Sequence, residues 1–238
     1  MQTIIYKSSE RGHANHGWLN AHHSFSFASY YDPNKIHFGV LRVLNDDSVA
    51  ASMGFGMHPH DNMEIITIPF SGILEHKDSM GNTGIISAGE VQVMSAGSGI
   101  THSEFNHSKT EAVTLFQIWI FPNKKNVAPR YDQIRFDIDG NLNQFVQIIS
   151  PNPNDEGSWI HQDAWMHIGK FTENETIPYT TRLNGNGFYL MVIDGEIEVA
   201  DTQLEKRDAI GISEISTVEI KIKSATAQLL LMDIPMQV

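Results

Sequence analysis

Apolar residues in this chain come in short runs rich in β-branched and aromatic side chains, and almost nowhere at the three-and-four spacing of an amphipathic helix. Such runs occupy residues 38–44, 64–69, 84–86, 91–94, 113–121, 145–149, 188–192, 197–200, 218–222 and 228–233. Clusters of Gly, Asn, Asp, Ser or Pro separate most of them. Many short strands punctuated in this way predict an all-β fold of closed or sandwich-like antiparallel domains. Helix is expected only in small pieces, around Pro129–Ile134 for example. At 238 residues and 41% hydrophobic, the chain is long and apolar enough for two cores.

A break between those cores falls near Pro122–Arg135. The segment from Phe121 to Pro129 is polar, flanked by prolines and carries the adjacent Lys124 and Lys125, which reads as a connector. The expected domains are therefore 1–125 and 126–238. They share a weak internal repeat: Ser71-Gly72-Ile73-Leu74-Glu75 is similar to Asp194-Gly195-Glu196-Ile197-Glu198, and Ala88-Gly89-Glu90-Val91 to Lys206-Arg207-Asp208-Ala209. Two copies of one β unit is the economical reading.

Several functional classes are excluded early. The formal charge is −12 and no block of Lys and Arg forms a basic stripe, so neither nucleic acid nor an anionic membrane is an expected partner. The absence of cysteine rules out disulfides, thiolate metal sites and a cysteine nucleophile. The N-terminus lacks the charged start and apolar run of a signal peptide, and no stretch approaches the roughly 20 apolar residues that span a bilayer. A cytoplasmic, monomeric protein is the expectation.

Histidine is the unusual count. Of 12, ten lie between His13 and His107, which directs the search for chemistry to the first half. The strongest signal there is Gly56-Met57-His58-Pro59-His60. In a strand, residues i and i+2 share a face, so His58 and His60 can offer two imidazoles to one point. About 40 residues on, His102 and Glu104 in Gly99-Ile100-Thr101-His102-Ser103-Glu104 stand in the same relation. Two such strands side by side would converge three imidazoles and a carboxylate on one divalent transition-metal ion. Fe(II), Mn(II), Co(II), Ni(II) and Cu(II) all suit that set, with positions left open for a ligand, whereas zinc could fill a closed structural site. Glu64 is an alternative carboxylate, since it shares even numbering with His58. Gly54 and Gly56 have the parity to leave room beside the ion. His13, His16, His22 and His23 read as packing or surface residues, His76 as structural, and Trp18, Trp119, Trp159 and Trp165 as core anchors.

The spacing His58-x-His60-x3-Glu64-x7-Gly72, followed by Gly89-Glu90-x6-Gly97-x4-His102-x3-Asn106, resembles the two motifs of the cupin superfamily. More specifically, Phe55-Gly56-Met57-His58-Pro59-His60, Leu74-Glu75-His76-Lys77-Asp78-Ser79-Met80-Gly81-Asn82 and Met94 to Glu104 resemble pirin-type bicupins, and Gly17-Trp18-Leu19 with Phe25 to Pro33 is similar to the opening of short bacterial members. That resemblance implies two jelly-roll β-barrels with the metal in the first, and it implies Glu104, not Glu64, as the carboxylate ligand. Counting back from Gly195 and on from Asp208 puts Thr181, Leu183, Ile220 and Ile222 at the corresponding positions of the second half, and no histidine follows His167. The second domain is expected to hold no metal.

Pirins with an intact site resemble quercetin 2,3-dioxygenases, which open the flavonol ring with O2 and release carbon monoxide. The resemblance implies one divalent metal, Fe(II) by preference, a small aromatic flavonol-like substrate, and Glu104 as the base that accepts the 3-hydroxyl proton. The other expectation it raises is a metal- or redox-sensing regulatory protein without turnover.

Overall fold

The computed structural model describes residues 1–238 and is built almost wholly of strands. Its one helical element is the single 3-10 turn Ser8–Glu10. Each of the ten β-rich runs falls wholly or mostly within a strand or just before one. The segment expected as a small helix, Pro129–Ile134, is instead a strand, Arg130–Arg135. It pairs antiparallel with Glu90–Ser95, and this pairing outweighs whatever local helical preference the segment has.

Each half consists of a seven-stranded and a four-stranded sheet, and the two halves follow one plan. In the first, the large sheet runs Arg130–Arg135, Glu90–Ser95, Glu64–Ser71, Val113–Ile120, Leu41–Val49, Leu19–His23, Gly12–Asn15. Its small sheet runs Gly54–His60, Ile100–Asn106, Ile73–Asp78, Thr83–Ser87. In the second half the large sheet runs Gln2–Tyr6, Ala209–Ser213, Asn186–Asp194, Thr226–Pro235, Trp165–Thr172, Phe145–Ser150, Ser158–Trp159. The small one runs Thr176–Thr180, Thr217–Ile222, Ile197–Val199, Thr202–Leu204. The expected barrels are thus open jelly-roll sandwiches, because the chain turns between facing sheets without hydrogen-bonding their edges into a cylinder.

Two strands cross the expected 125/126 division. Gln2–Tyr6 completes the second large sheet by pairing with Ala209–Ser213, and Arg130–Arg135 completes the first. The internal repeat has a backbone basis. Gly72 and Gly195 both turn with positive φ (72° and 88°), as do Gly89 and Arg207 (83° and 68°). After the second pair, Glu90 accepts from the Ser87 N–H at 2.8 Å, and Asp208 from the Glu205 N–H at 3.2 Å.

The two large sheets pack back to back. A core of 26 buried residues joins Ile66, Ile68, Phe116 and Ile118 of one to Ile168, Tyr189, Leu230 and Met232 of the other. Burying each such side chain is worth roughly 1.5–3 kcal/mol, so neither half has a face it could leave to water. Strand alternation then dictates the other face. On Glu64–Ser71, Ile66 and Ile68 point into this shared core, while Ile65 and Thr67 point toward the small sheet of their own half. Between the sheets of the second half lies a filled core of 16 residues. In the first half, separate clusters of seven and four leave a cavity between them.

Candidate metal centre

Neighbouring strands of the small sheet supply the histidines. In the pairing of Gly54–His60 with Ile100–Asn106, His102 stands directly opposite His58 and Ile100 opposite His60. The imidazole centroids of His58, His60 and His102 lie 4.4–4.9 Å apart. One ligand atom from each falls within 4.8 Å of the others.

Hydrogen bonds fix which nitrogen the His58 and His102 rings offer. His58 Nδ1 lies 2.7 Å from the Gly56 carbonyl oxygen, a pure acceptor, so Nδ1 carries the proton and Nε2 keeps its lone pair. Behind His102 stands His76, fully buried, with the two Nδ1 atoms 3.4 Å apart. His76 Nε2 in turn lies 3.3 Å from Asp78 Oδ2. The carboxylate holds the His76 proton on Nε2, His76 Nδ1 accepts from His102 Nδ1–H, and His102 Nε2 is left free. That nitrogen is buried and has no hydrogen-bond partner in the protein. A relay of carboxylate, imidazole and ligating imidazole is how metal sites fix ring orientation. The reading of His76 as merely structural is therefore corrected: cross-strand pairing sets it opposite Glu104 and Asp78 opposite His102, on the inner face.

A β-bulge between His102 and Glu104 re-aims the strand. It needs Gly54, because a Cβ there would strike the Glu104 carbonyl oxygen and the Phe105 Cα. Glu104 is buried, with Oε2 accepting from Gln117 Nε2 at 2.8 Å and Oε1 lying 3.2 Å from the Thr67 hydroxyl. Its carboxylate forms a second group with His76 and His102, ligand atoms again within 4.8 Å. His102 is common to both groups. Glu64 lies elsewhere: the turn at 61–63 breaks the numbering parity with His58, and Glu64 opens the next strand. There it accepts from Ser95 Oγ at 2.6 Å and lies 3.2 Å from His161 Nδ1 of the second half.

Electrostatics favour neutral donors. Burial and neighbouring imidazoles lower the pKa of His60 to about 4 and of His102 to about 2, so both keep lone pairs well into acid. Burial raises Glu104 to about 7 against the hydrogen bonds from Thr67 and Gln117. Three converging imidazoles, a neighbouring carboxylate and an orphaned buried Nε2 fit one divalent transition ion.

Beside the cluster opens a cavity of about 460 Å³, within the ordinary range for small-molecule sites. Its large-sheet wall carries Asn45, Asp47, Gln117 and Trp119, and the N-terminal segment adds Trp18 and Phe27. Trp18 and Trp119, expected as core anchors, line this space instead, while Trp159 lies under Arg130. Gly54 and Gly56 line it too, as their parity implied. His13 stacks on His22 with centroids 4.6 Å apart, and His23 braces Asn45 at 2.9 Å; none of these three lines the cavity. In the second half, Ile220 and Ile222 sit in the filled core, at the positions corresponding to His102 and Glu104.

The architecture and site define a double-domain cupin with a histidine centre in one half. Residues 6–120 match the Pirin family model, and 147–234 match the model of the quercetinase C-terminal cupin domain. The chain is 41% identical to a quercetin 2,3-dioxygenase of Escherichia coli K12 across 98% of its own length and 99% of the relative's. It is 42% identical to a pirin-like protein of Caulobacter vibrioides, covering 93% and 95%. The crystal structure of the E. coli protein YhhW superposes with a TM-score of 0.94 at 40% identity, covering 100% of this chain and 99% of that one. A structure of the same bacterial pirin in complex with nickel(II) gives 0.93 at 39%, covering 100% of both. The chain belongs to the pirin family.

Proposed function

We propose that this pirin is a metal-dependent dioxygenase that opens the ring of quercetin-like flavonols with O2. The observation that carries the reading is the apolar, aromatic-walled cavity directly beside three converging imidazoles and a buried carboxylate. His58, His60, His102 and Glu104 would hold the ion, Fe(II) by preference, with Ni(II) suited by the same donors. When bound, such an ion supplies Lewis acidity that favours the ionised form of an aromatic hydroxyl and an electron path toward dioxygen.

The chain's own residues do the rest. Trp18, Phe27, Phe55 and Trp119 offer a planar aromatic ring flat apolar walls and exclude water from the reacting face. Glu104 accepts the 3-hydroxyl proton, and Gln117 steadies its carboxylate through Oε2. Asp78 and His76 keep His102 in the orientation and tautomer that ligation requires.

The test is oxygen uptake by metal-loaded protein with quercetin and with a flavone lacking the 3-hydroxyl. Glu104→Gln should retain some metal, since an amide oxygen coordinates weakly, but lose about 10²–10⁴-fold in rate. Rapid cleavage of the flavone would contradict proton removal from the 3-hydroxyl. No uptake with any flavonol, under full loading with each candidate metal, would favour a regulatory pirin.

A further inference from the structure

The large-sheet wall of the cavity carries a carboxyl that the proposed chemistry leaves unused. Asp47 is only 6% exposed and lines the cavity, and its Oδ1 is buried with no hydrogen-bond partner. The preceding residue shows what a paired carboxylate looks like here. Asp46 faces the opposite side of the strand, where Arg207 lies at 2.9 Å and Arg11 at 3.5 Å. No lysine or arginine lines the cavity to do the same for Asp47. The amides on its wall are engaged, Asn45 bonded by His23 and Gln117 by Glu104 and Thr67, and the Trp119 indole N–H beside them is a donor only. Asp47 is thus a polar side chain turned into an aromatic-walled space with its hydrogen-bonding capacity unmet, which native interiors rarely tolerate without a reason.

We infer that Asp47 is a recognition residue, whose carboxyl hydrogen-bonds a substrate hydroxyl other than the one beside the histidine cluster. The inference rests on the flavonol reading above and deepens it: the site takes polyhydroxylated aromatics in preference to bare ones. Burial, with Asp46 and Glu104 nearby, raises the Asp47 carboxyl to about 8. A neutral acid of this kind suits a phenolic hydroxyl better than an ammonium group. A site built to bond a hydroxyl also rejects the analogue that lacks it, because the protein group is then left unpaired.

The experiment is anaerobic binding to the metal-loaded protein, read by quenching of tryptophan fluorescence, with quercetin and with 3-hydroxyflavone. Both offer the 3-hydroxyl, and only quercetin carries hydroxyls on the outer rings. Wild type should prefer quercetin by about 10–100-fold. Asp47→Leu should reduce that ratio to within about threefold, chiefly by weakening quercetin binding, with no fall in melting temperature since an unpaired buried polar group is removed. Asp47→Ala, which only enlarges the cavity, serves the same comparison if the leucine does not fit. An unchanged preference in the folded variants would overturn the assignment while leaving the flavonol reading intact. So would a large fall in melting temperature in both, which would mark Asp47 as structural. Failure of wild type to bind either flavonol would overturn the flavonol reading itself, and this inference with it.

Discussion

His76→Phe isolates the relay behind the metal site. Phenylalanine keeps a flat aromatic ring, one atom larger than the imidazole, and can preserve the stack against Tyr131, whose ring lies 4.7 Å away at 27°. Asp78 is not stranded by the change, because it still accepts from Met80 N, Asn82 N and Asn82 Nδ2 at 2.9–3.0 Å. What disappears is the pair of hydrogen bonds that His76 makes, at 3.3 Å to Asp78 and 3.4 Å to His102. Each is long, so a net worth of about 0.5–1.5 kcal/mol apiece is the ceiling to expect. Only the second bears on ligation: without it His102 loses the acceptor that holds its proton on Nδ1 and presents Nε2. Metal affinity should therefore fall about 2–10-fold, equivalent to about 0.5–1.4 kcal/mol. Competition against a chelator of known affinity measures it, with the metal-free melting temperature as the control for folding. Wild-type affinity in a normally folded His76→Phe protein would refute the relay.

Other perturbations follow from the same geometry. His102→Ala should abolish stoichiometric metal while the melting temperature of the metal-free protein stays within a few degrees, since apolar burial holds the sheets together; full metal content by elemental analysis would refute the ligand assignment. Glu64 has its pKa raised by burial to about 7, so the stability it contributes is complete below its unfolded value near 4.5 and is lost as pH rises through 7. Glu64→Gln should accordingly gain melting temperature relative to wild type between pH 5 and 8, and the opposite trend would refute the assignment. Residues 1–125 expressed alone should aggregate, because the fragment exposes Ile66, Ile68, Phe116 and Ile118 and lacks the edge strand Arg130–Arg135; a soluble fragment with dispersed NMR signals would refute the shared-core argument.

Strands and turns were legible because they rest on local chemistry. The run at 91–94 is continuous as a strand buried on both faces requires, that at 218–222 alternates as a half-buried one does, and Gly72 and Gly195 mark turns whose positive φ glycine adopts without strain. The histidines at 58, 60 and 102 were legible for the same reason, since strand parity is a property of a few consecutive residues. Parity stops guiding where it is carried across a turn. Glu64 shares even numbering with His58, yet the turn between them rotates the chain and sends Glu64 into the interface between halves. The part His76 and Asp78 play was not legible because only cross-strand register places them opposite Glu104 and His102, and register depends on residues 24–28 positions away in sequence. A signal was nonetheless present: His76-Lys77-Asp78 repeats the i, i+2 arrangement that singled out the two ligand strands. The exchange of edge strands between halves has no local signature at all.

The two halves show why one copy of a repeated sandwich can afford a site. In the second, Ile220 and Ile222 fill the space between sheets as part of a 16-residue core. In the first, the corresponding positions are His102 and Glu104, and the apolar clusters on either side of the cavity number only seven and four. The polar groups lining that cavity include orphaned atoms on His102, Asp47 and Trp119, each a cost to folding in the absence of a partner. Such a half has little inter-sheet core of its own with which to offset the cost. It shares the 26-residue layer between the large sheets, and each half also closes the other's large sheet, through Gln2–Tyr6 and Arg130–Arg135. The half with the filled core is then a stabilising partner to the half with the cavity, and a substitution that loosens the shared layer, Phe116→Ala or Leu230→Ala, should lower the stability of both halves in a single transition.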